Sequence, residues 1–421
     1  DTGGQSPFQI EFADVAWLRS LHGFRWLRHM REAGTELAAA NARALVTDWM
    51  TTHGRRIAGI AWEPAVTARR VIAWLQHSTV VLQGADLAFY RAYLRSLAVQ
   101  IRYLRAMAPE MPDGEERLRA RAALAYSALS LPASRTALRA ATRHLASELE
   151  RQILPDGGHV SRSPLALIEL LADLLPLRHT YANQAEAPPD ALIAAVERML
   201  PALRFFRHQG GELALFNGAT YTLANELMSA LRYDETGGAP FKALPSTSYH
   251  RLAVKETVVL MDTGLPRSVD LSATAAAGTL SIEMSSGKNR FIVNSGRPLF
   301  AGEVMRQMAR MTAAHSVATL NDTSSSRIST SRFLGPIIVG GVGKVDVSRA
   351  ERVSGADGVT ATHDGYLERF GLLYERDIFV AVSGNEIRGR ERFFRPGHPD
   401  GPVEGVAVVR FHIHPAIQLY P

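Results

Sequence analysis

From Val15 to about Tyr233 the apolar residues return every three or four positions, whereas from Tyr249 onward they alternate one by one. The first spacing is that of a helix with one buried face, the second that of a half-buried strand. Within the helical stretch, DLAFYRAYLRSLAVQIRYLRAM (Asp86 to Met107) and SRTALRAATRHLASELERQIL (Ser134 to Leu154) are the clearest segments, and Asp86 stands where an N-cap carboxylate would take up free backbone amides. Pro and Gly clusters cut the region into about nine or ten helices. The connections at 132–134 and 187–189 are short, which makes successive helices antiparallel neighbours. With no strand among them, the predicted closure is an incomplete (α/α) toroid. No fixed repeat of solenoid type is present.

Past the helices, YHRLAVKETVVLMDTG, GTLSIEMSSGKNRFIVNSG, HSVATLND, GPIIVGGVGKVDVSRAERV, GVTATHDGYLERFGLLYERDIFVAVSGNEIRGRERFF and GVAVVRFHIHP are period-two runs broken at Gly and Asp turns. Many short strands of this kind predict an antiparallel β-sandwich. The stretch DETGGAPFKALPSTS (Asp234 to Ser248) separates the two regimes. The expected organisation is therefore multidomain α and β, with a helical domain over 1–240 and a sandwich over 249–421. The chain opens on Asp1 and closes on Pro421 directly after a strand, so further sequence is expected beyond both ends.

Length supports two cores, since 421 residues exceed the size at which one core keeps growing. Hydrophobic residues make up 46%, yet no apolar run approaches the roughly 18 residues of a membrane span, and a soluble chain is expected. The formal charge of +6 would suit a polyanionic partner. The competing explanation is compositional, because lysine occurs only at Lys242, Lys255, Lys288 and Lys344 while every other basic residue is Arg. No aromatic-interleaved basic tract or zinc-finger spacing points to nucleic acid. The absence of cysteine excludes disulfides and thiolate metal sites and leaves bacterial cytoplasm and periplasm equally open.

Familiar catalytic motifs are missing: there is no GxGxxG, P-loop, GxSxG or HExxH. GGVGK (Gly340 to Lys344) lies between strands and reads as a turn. His412 and His414 share one strand face and could chelate together, or be ordinary strand histidines. The segment RQMARMTAAHSVATLND (Arg306 to Asp322) is the most distinctive. A basic, Met-rich stretch, with Arg306 and Arg310 on one expected helical face, runs into a strand around His315.

ARMTAAHSVATLND resembles the signature strand of heparinase II/III-like polysaccharide lyases. Three further pieces resemble that family in the same order along the chain: GIAWEPAVTARRVIAWL (Gly59 to Leu75), PDGGHVSRSP (Pro155 to Pro164) and LSIEMSSGKNRFIVNSGRP (Leu280 to Pro298). The resemblance implies β-elimination on an acidic polysaccharide or oligosaccharide. Such chemistry needs a group to neutralise the uronate carboxylate, a base for the C5 proton and an acid for the leaving oxygen.

The resemblance also exposes departures. Ala166 and Leu167 stand where the family's Tyr-His pair is expected, and Glu115, Glu116 and Arg117 stand in place of its Asn-Asn-His tract. Of the three ligands of the family's structural zinc only His315 remains, Ala276 and Asn294 occupying the other positions, so neither metal nor cofactor is expected.

The expected carbohydrate cleft has His315, His159 and Tyr249 as catalytic candidates. Arg162, Arg310, Arg306, His250 and Arg117 are candidate substrate contacts, and Trp62 and Trp74 are either sugar-stacking platforms or core residues. Two other readings stand beside the lyase. One is a glycoside hydrolase using a carboxylate pair from Glu63, Glu116, Asp156 and Glu226; the other is a non-catalytic glycan-binding or envelope-assembly protein on the same scaffold.

Overall fold

A computed structural model describes residues 6–10, 14–235, 237–265, 270–299, 301–331, 333–351 and 356–420. Among them, eleven α-helices precede the first strand: α1 (Val15–Gly23), α2 (Leu27–Ala33), α3 (Glu36–Thr52), α4 (Pro64–Gln76), α5 (Ser78–Leu82), α6 (Leu87–Met107), α7 (Glu115–Ser130), α8 (Arg135–Gln152), α9 (Pro164–Asn183), α10 (Asp190–Phe205) and α11 (Ala224–Leu231). This is slightly more than the sequence pattern gave, because α2 and α5 are too short to show a period. The long helices follow their signals. Asp86 Oδ1 accepts the Phe89 amide at 2.7 Å, and α6 buries Tyr93, Leu97, Ile101 and Leu104 along one stripe. Pro64 opens α4 at a position whose amide would have no partner in any case.

The strands begin at β1 (Ala243–Leu244). They continue as β2 (Tyr249–Val254), β3 (Thr257–Asp262), β4 (Ile282–Ser286), β5 (Asn289–Val293), β6 (Ala318–Leu320), β7 (Ser326–Ile328), β8 (Ile338–Gly341), β9 (Val345–Glu351), β10 (Asp357–His363), β11 (Leu373–Val380), β12 (Ile387–Phe394), β13 (Ala407–Val409) and β14 (His412–Ile413). Short helices α12 (Glu303–Met308) and α13 (Leu367–Phe370) interrupt them. A six-stranded sheet has the order β1-β2-β3-β4-β5-β14 and a four-stranded sheet β12-β11-β10-β9, while β13 pairs with β6 and β7 with β8. All paired strands are antiparallel. The two larger sheets feed one core, in which Leu252, Val259, Met261 and Ile282 meet Val359, Ala361, Tyr374 and Ile378. Along β11 every second residue is buried, the alternation that sequence showed.

By compactness the chain divides into a unit of residues 1–152 with 172–194 and a unit of residues 153–171 with 195–421. The second unit thus takes in helical as well as strand segments. The first is built around aromatic rings. Trp49, Trp62, Trp74, Phe24 and Tyr93 are all buried, and Trp74 stacks on Tyr93 at 5.2 Å and meets Trp49 edge-on at 5.6 Å.

Among these rings lies the guanidinium of Arg70, fully buried and 4.0 Å from the Trp49 ring centre. It donates to Gln100 Oε1, Thr67 Oγ1 and the carbonyls of His22 and Ala61 at 2.7 to 3.2 Å. Burial pushes its pKa well below the usual arginine range. No helix among the described residues is long and apolar enough to cross a membrane.

Candidate functional site

The loop PDGGHVSRSP folds as a tight reversal within the second unit. Leu154 donates its amide to the Gly158 carbonyl at 2.8 Å. Gly157, at φ +84°, lies so close to the Arg198 carbonyl that an added Cβ would sit 1.9 Å from its oxygen, so no larger residue fits. Asp156 caps the turn and ties it to the strand region, accepting the Thr247 amide and hydroxyl, both at 2.7 Å. His159 is buried, its Nδ1 accepting from the Ser161 amide at 3.1 Å and lying 2.7 Å from the Ser161 hydroxyl.

Arg162, at φ +62°, turns inward to the end of β3. Its guanidinium pairs with Asp262 and donates from Nε to the Thr247 carbonyl at 2.8 Å. It also lies over the Tyr249 ring at 4.9 Å. Asp262 Oδ2 accepts Asn217 Nδ2 at 2.9 Å, and its Oδ1 accepts the Gly264 amide at 3.0 Å. Tyr249, the first residue of β2, donates its hydroxyl to the Arg162 carbonyl at 2.8 Å and accepts from Asn217 Nδ2 at 2.6 Å. All four side chains of this knot are buried. Burial alone would lower the Arg162 pKa, but Asp262 and then Tyr249 outweigh it and the net shift is upward. Burial, followed by the Asp262 charge, pushes the Tyr249 phenol above its ordinary range.

A second buried knot joins β4 to the segment after α10. Glu283 Oε2 lies 3.0 Å from His208 Nε2, and its Oε1 accepts the amides of Leu215 at 3.1 Å and Asn294 at 3.0 Å. His208 Nδ1 is 2.8 Å from Ser285 Oγ. Burial lowers the His208 pKa despite the carboxylate.

His315 lies just before β6, not within a strand. It follows a short 3-10 turn, Thr312–Ala314, and Gly278 packs so tightly on its ring that an added Cβ there would sit 2.8 Å from Cδ2. Its Nδ1 lies 2.9 Å from the Met311 carbonyl, and burial lowers its pKa. The surrounding residues do not fit the family's zinc: Ala276 brings no donor atom, and Asn294 Oδ1 accepts the Ser316 amide at 3.0 Å. Among the described residues no three His, Cys, Asp or Glu side chains converge. His412 Nε2 is 3.0 Å from the Ala313 carbonyl.

The remaining candidates each meet partners of their own. Arg310 falls beyond the end of α12 rather than on a shared helical face with Arg306, and donates to the carbonyls of Ala275, Ser272 and Pro336 at 2.5 to 2.7 Å. Arg306 sits 3.4 Å from Glu303. His250 is half-buried beside Arg349, and burial, then that arginine, lowers its pKa to about 4.

In the first unit Arg117 pairs with Glu148 at 3.0 Å and with Asp113. Trp62 and Trp74 are 3% and 0% exposed, so neither ring face is open to a sugar. Of the hydrolase carboxylates, Glu63 pairs with Arg19, and Glu116 with Arg69 and Arg119. Asp156 is spent on Thr247, and Glu226 lies in the first turn of α11.

The sequence reading missed Asn217, Asp262, His208 and Glu283. A signal existed for two of them, since an acidic residue ending the apolar run VVLMD and another inside LSIEM must find partners if the strand is buried.

These features place the protein among molecules of heparinase fold. A heparan sulfate lyase HepC mutant from Pedobacter heparinus superposes with a TM-score of 0.63 at 18% identity, over 97% of this chain and 66% of that one. Heparinase III does so with a TM-score of 0.69 at 15% identity, over 91% and 64%. The chain thus spans somewhat under two thirds of the length of those lyases. Residues 236–419 match the family described as Heparinase II/III-like, C-terminal. The FtsZ-localized protein C of Caulobacter vibrioides (strain NA1000 / CB15N) is 31% identical over 418 residues, covering 97% of this chain and 71% of that protein. The chain belongs to the heparinase II/III-like family.

Proposed function

We propose that this chain keeps the heparinase scaffold, an incomplete (α/α) toroid followed by an antiparallel β-sandwich, to bind an acidic polymer in bacterial envelope assembly or division rather than to cleave one. The carrying observation is the Tyr249 hydroxyl. It is closed off from solvent, donates to the Arg162 carbonyl, accepts from Asn217 and belongs to a phenol raised above its usual range. A phenol so held does not exchange a proton with a sugar near neutrality, where a general acid or base needs a pKa near the working pH. Ala166 and Leu167, buried and without titratable groups, stand where the family resemblance calls for tyrosine and histidine. A relative named for localisation with FtsZ supports the assembly role.

The lyase reading draws its support from family membership: an acidic polysaccharide cleaved by β-elimination, with His315, His159 and Tyr249 acting and Arg162 and Arg310 holding the carboxylate. Incubation of the full chain with a panel of uronate polymers, read by ultraviolet absorbance of the unsaturated product and in parallel by binding, separates the two. Binding without unsaturated product is expected. Steady product release that the His315→Ala variant lacks would establish the lyase instead.

A further inference from the structure

In the first unit, a cavity of about 750 Å³ lies between α6 on one side and α7, the turn after it and the first half of α8 on the other. We propose that it is a binding site for a single-chain amphiphile taken up as a free molecule, its alkyl chain lying along the apolar floor and its anionic head, a carboxylate or phosphate, held by Arg102, Arg105 and Arg121. The inference does not depend on the function proposed above.

The cavity exists because the helices supply apolar positions that the core does not use. On α6 the stripe of Tyr93, Leu97, Ile101 and Leu104 is buried, and beside it Leu94 is only half-buried and Ala98, one turn on, is exposed; both line the cavity. α7 is buried along most of its length and forms the floor, to which Leu124 contributes. Opposite α6, α8 brings Ala137, Ala140 and Ala141, whose methyl groups leave open the space that longer side chains would fill. Open apolar surface of this kind marks a binding site, and the volume is that of a site for one small molecule.

Polarity changes along the cavity. α6 ends at Met107 and α7 begins at Glu115, so the last turns of one stand beside the first turns of the other, and the Arg117–Glu148 pair shows that α8 returns antiparallel to α7. Arg102 and Arg105 late in α6, Arg121 early in α7 and His144 on α8 therefore gather toward one end, while Leu94, Leu131 and Pro132 line the other. Among the described residues Arg102, Arg105 and Arg121 form no hydrogen bond or ion pair, and no Asp or Glu lines the cavity. Asp113 and Glu148, on neighbouring turns, are matched by Arg117 and Arg151, and Glu110 is exposed outside the lining.

Burial lowers the pKa of Arg121, and burial, then Arg121 and Arg143, lower that of His144, with no carboxylate opposing either shift. The C-terminal end of α6 and the N-terminal end of α7 carry about half a charge each of opposite sign, so the helix dipoles cancel and the side chains decide. Guanidinium forks grip a carboxylate or phosphate two bonds at a time. A cationic end and an apolar end in one cavity match a molecule built the same way.

The test titrates the full chain by calorimetry with hexyl, octyl and decyl phosphate below their micelle concentrations, and with octyl glucoside as an uncharged control. One saturable site is expected, with affinity rising about fourfold per added methylene, as transfer of that group out of water dictates, and with octyl phosphate bound more tightly than octyl glucoside. Arg102 and Arg105 are exposed, so the double variant Arg102→Glu, Arg105→Glu should fold as the parent does and bind about tenfold or more weakly, two charges at one end being reversed. Ala140→Leu fills the cavity from α8 and should lose decyl phosphate while circular dichroism shows the helices kept. Absence of saturable binding, an affinity indifferent to chain length, or equal affinity in the parent and either variant overturns the site. Association only with phosphatidylcholine vesicles carrying phosphatidic acid, with no binding of free alkyl phosphate, overturns it in favour of a surface contact.

Discussion

Tyr249 and Arg162, 87 residues apart in sequence, are joined twice: the phenol donates to the arginine carbonyl at 2.8 Å, and the guanidinium lies 4.9 Å from the centre of the same ring. The loop before α9 is thereby clasped to the first residue of β2, and Asn217 and Asp262 close the knot from two other segments. Burying this much polarity is tolerable because each group meets a partner of opposite kind.

Tyr249→Phe should cost about 1–3 kcal/mol, since the Arg162 carbonyl and one Asn217 donor lose a buried partner while the ring packing stays. Urea denaturation followed by circular dichroism measures it. An unchanged midpoint would mean that the phenol is not part of the clasp.

Arg162→Met leaves the Asp262 carboxylate buried without its cation and should destabilise by about 3–5 kcal/mol, as breakage of buried pairs does. Adding Asp262→Leu should recover a substantial part of the loss. The double-mutant cycle is the measurement, and simple additivity of the two changes would show that the charges are not coupled.

Arg70 makes an analogous clasp in the first unit, with no carboxylate. Arg70→Met should lower stability by on the order of 3 kcal/mol by orphaning Gln100 and two carbonyls. Arg70→Lys should rescue little, because a compact ammonium cannot reproduce the fork or lie flat over Trp49. Thermal unfolding monitored by tryptophan fluorescence checks both; full rescue by lysine would contradict the geometric argument.

Acid should destabilise the fold before carboxylates titrate. Burial lowers the pKa of His363 and of His77 to about 4, and of His22 to about 3, against about 6.5 in an unfolded chain. Between these values the unfolded state binds more protons, so stability is fully present above about pH 6.5 and falls as pH drops toward 4. The denaturation midpoint measured from pH 7.5 to pH 4.5 should decline below about pH 6.5 and stay nearly flat above it. A midpoint that rises on acidification would refute the neutral, buried state of these histidines.

Helices and strands were legible where burial imposes a period over many residues. Asp86 and the α6 stripe, the β11 alternation and the hairpin across Gly287 all stand where the pattern put them. Short elements were not, since α2 and α5 complete too few turns to show a period. Arg310 lay beyond reach for another reason: helical spacing places it beside Arg306, but α12 ends at Met308, and the chain then bends to give its guanidinium three carbonyls.

The amino-acid sequence by itself determined the order of helix and strand, the family, and the identity of residues able to carry charge. Tertiary structure alone decided what those residues do. His159, Arg162, Tyr249 and His315 are chemically capable side chains in any sequence listing, yet each is buried. The physical reason is that reactivity depends on solvation and on hydrogen-bond partners distant in sequence. Arg162 finds Asp262 100 residues away and Asn217 finds Tyr249 32 residues away, and no local pattern encodes such a meeting.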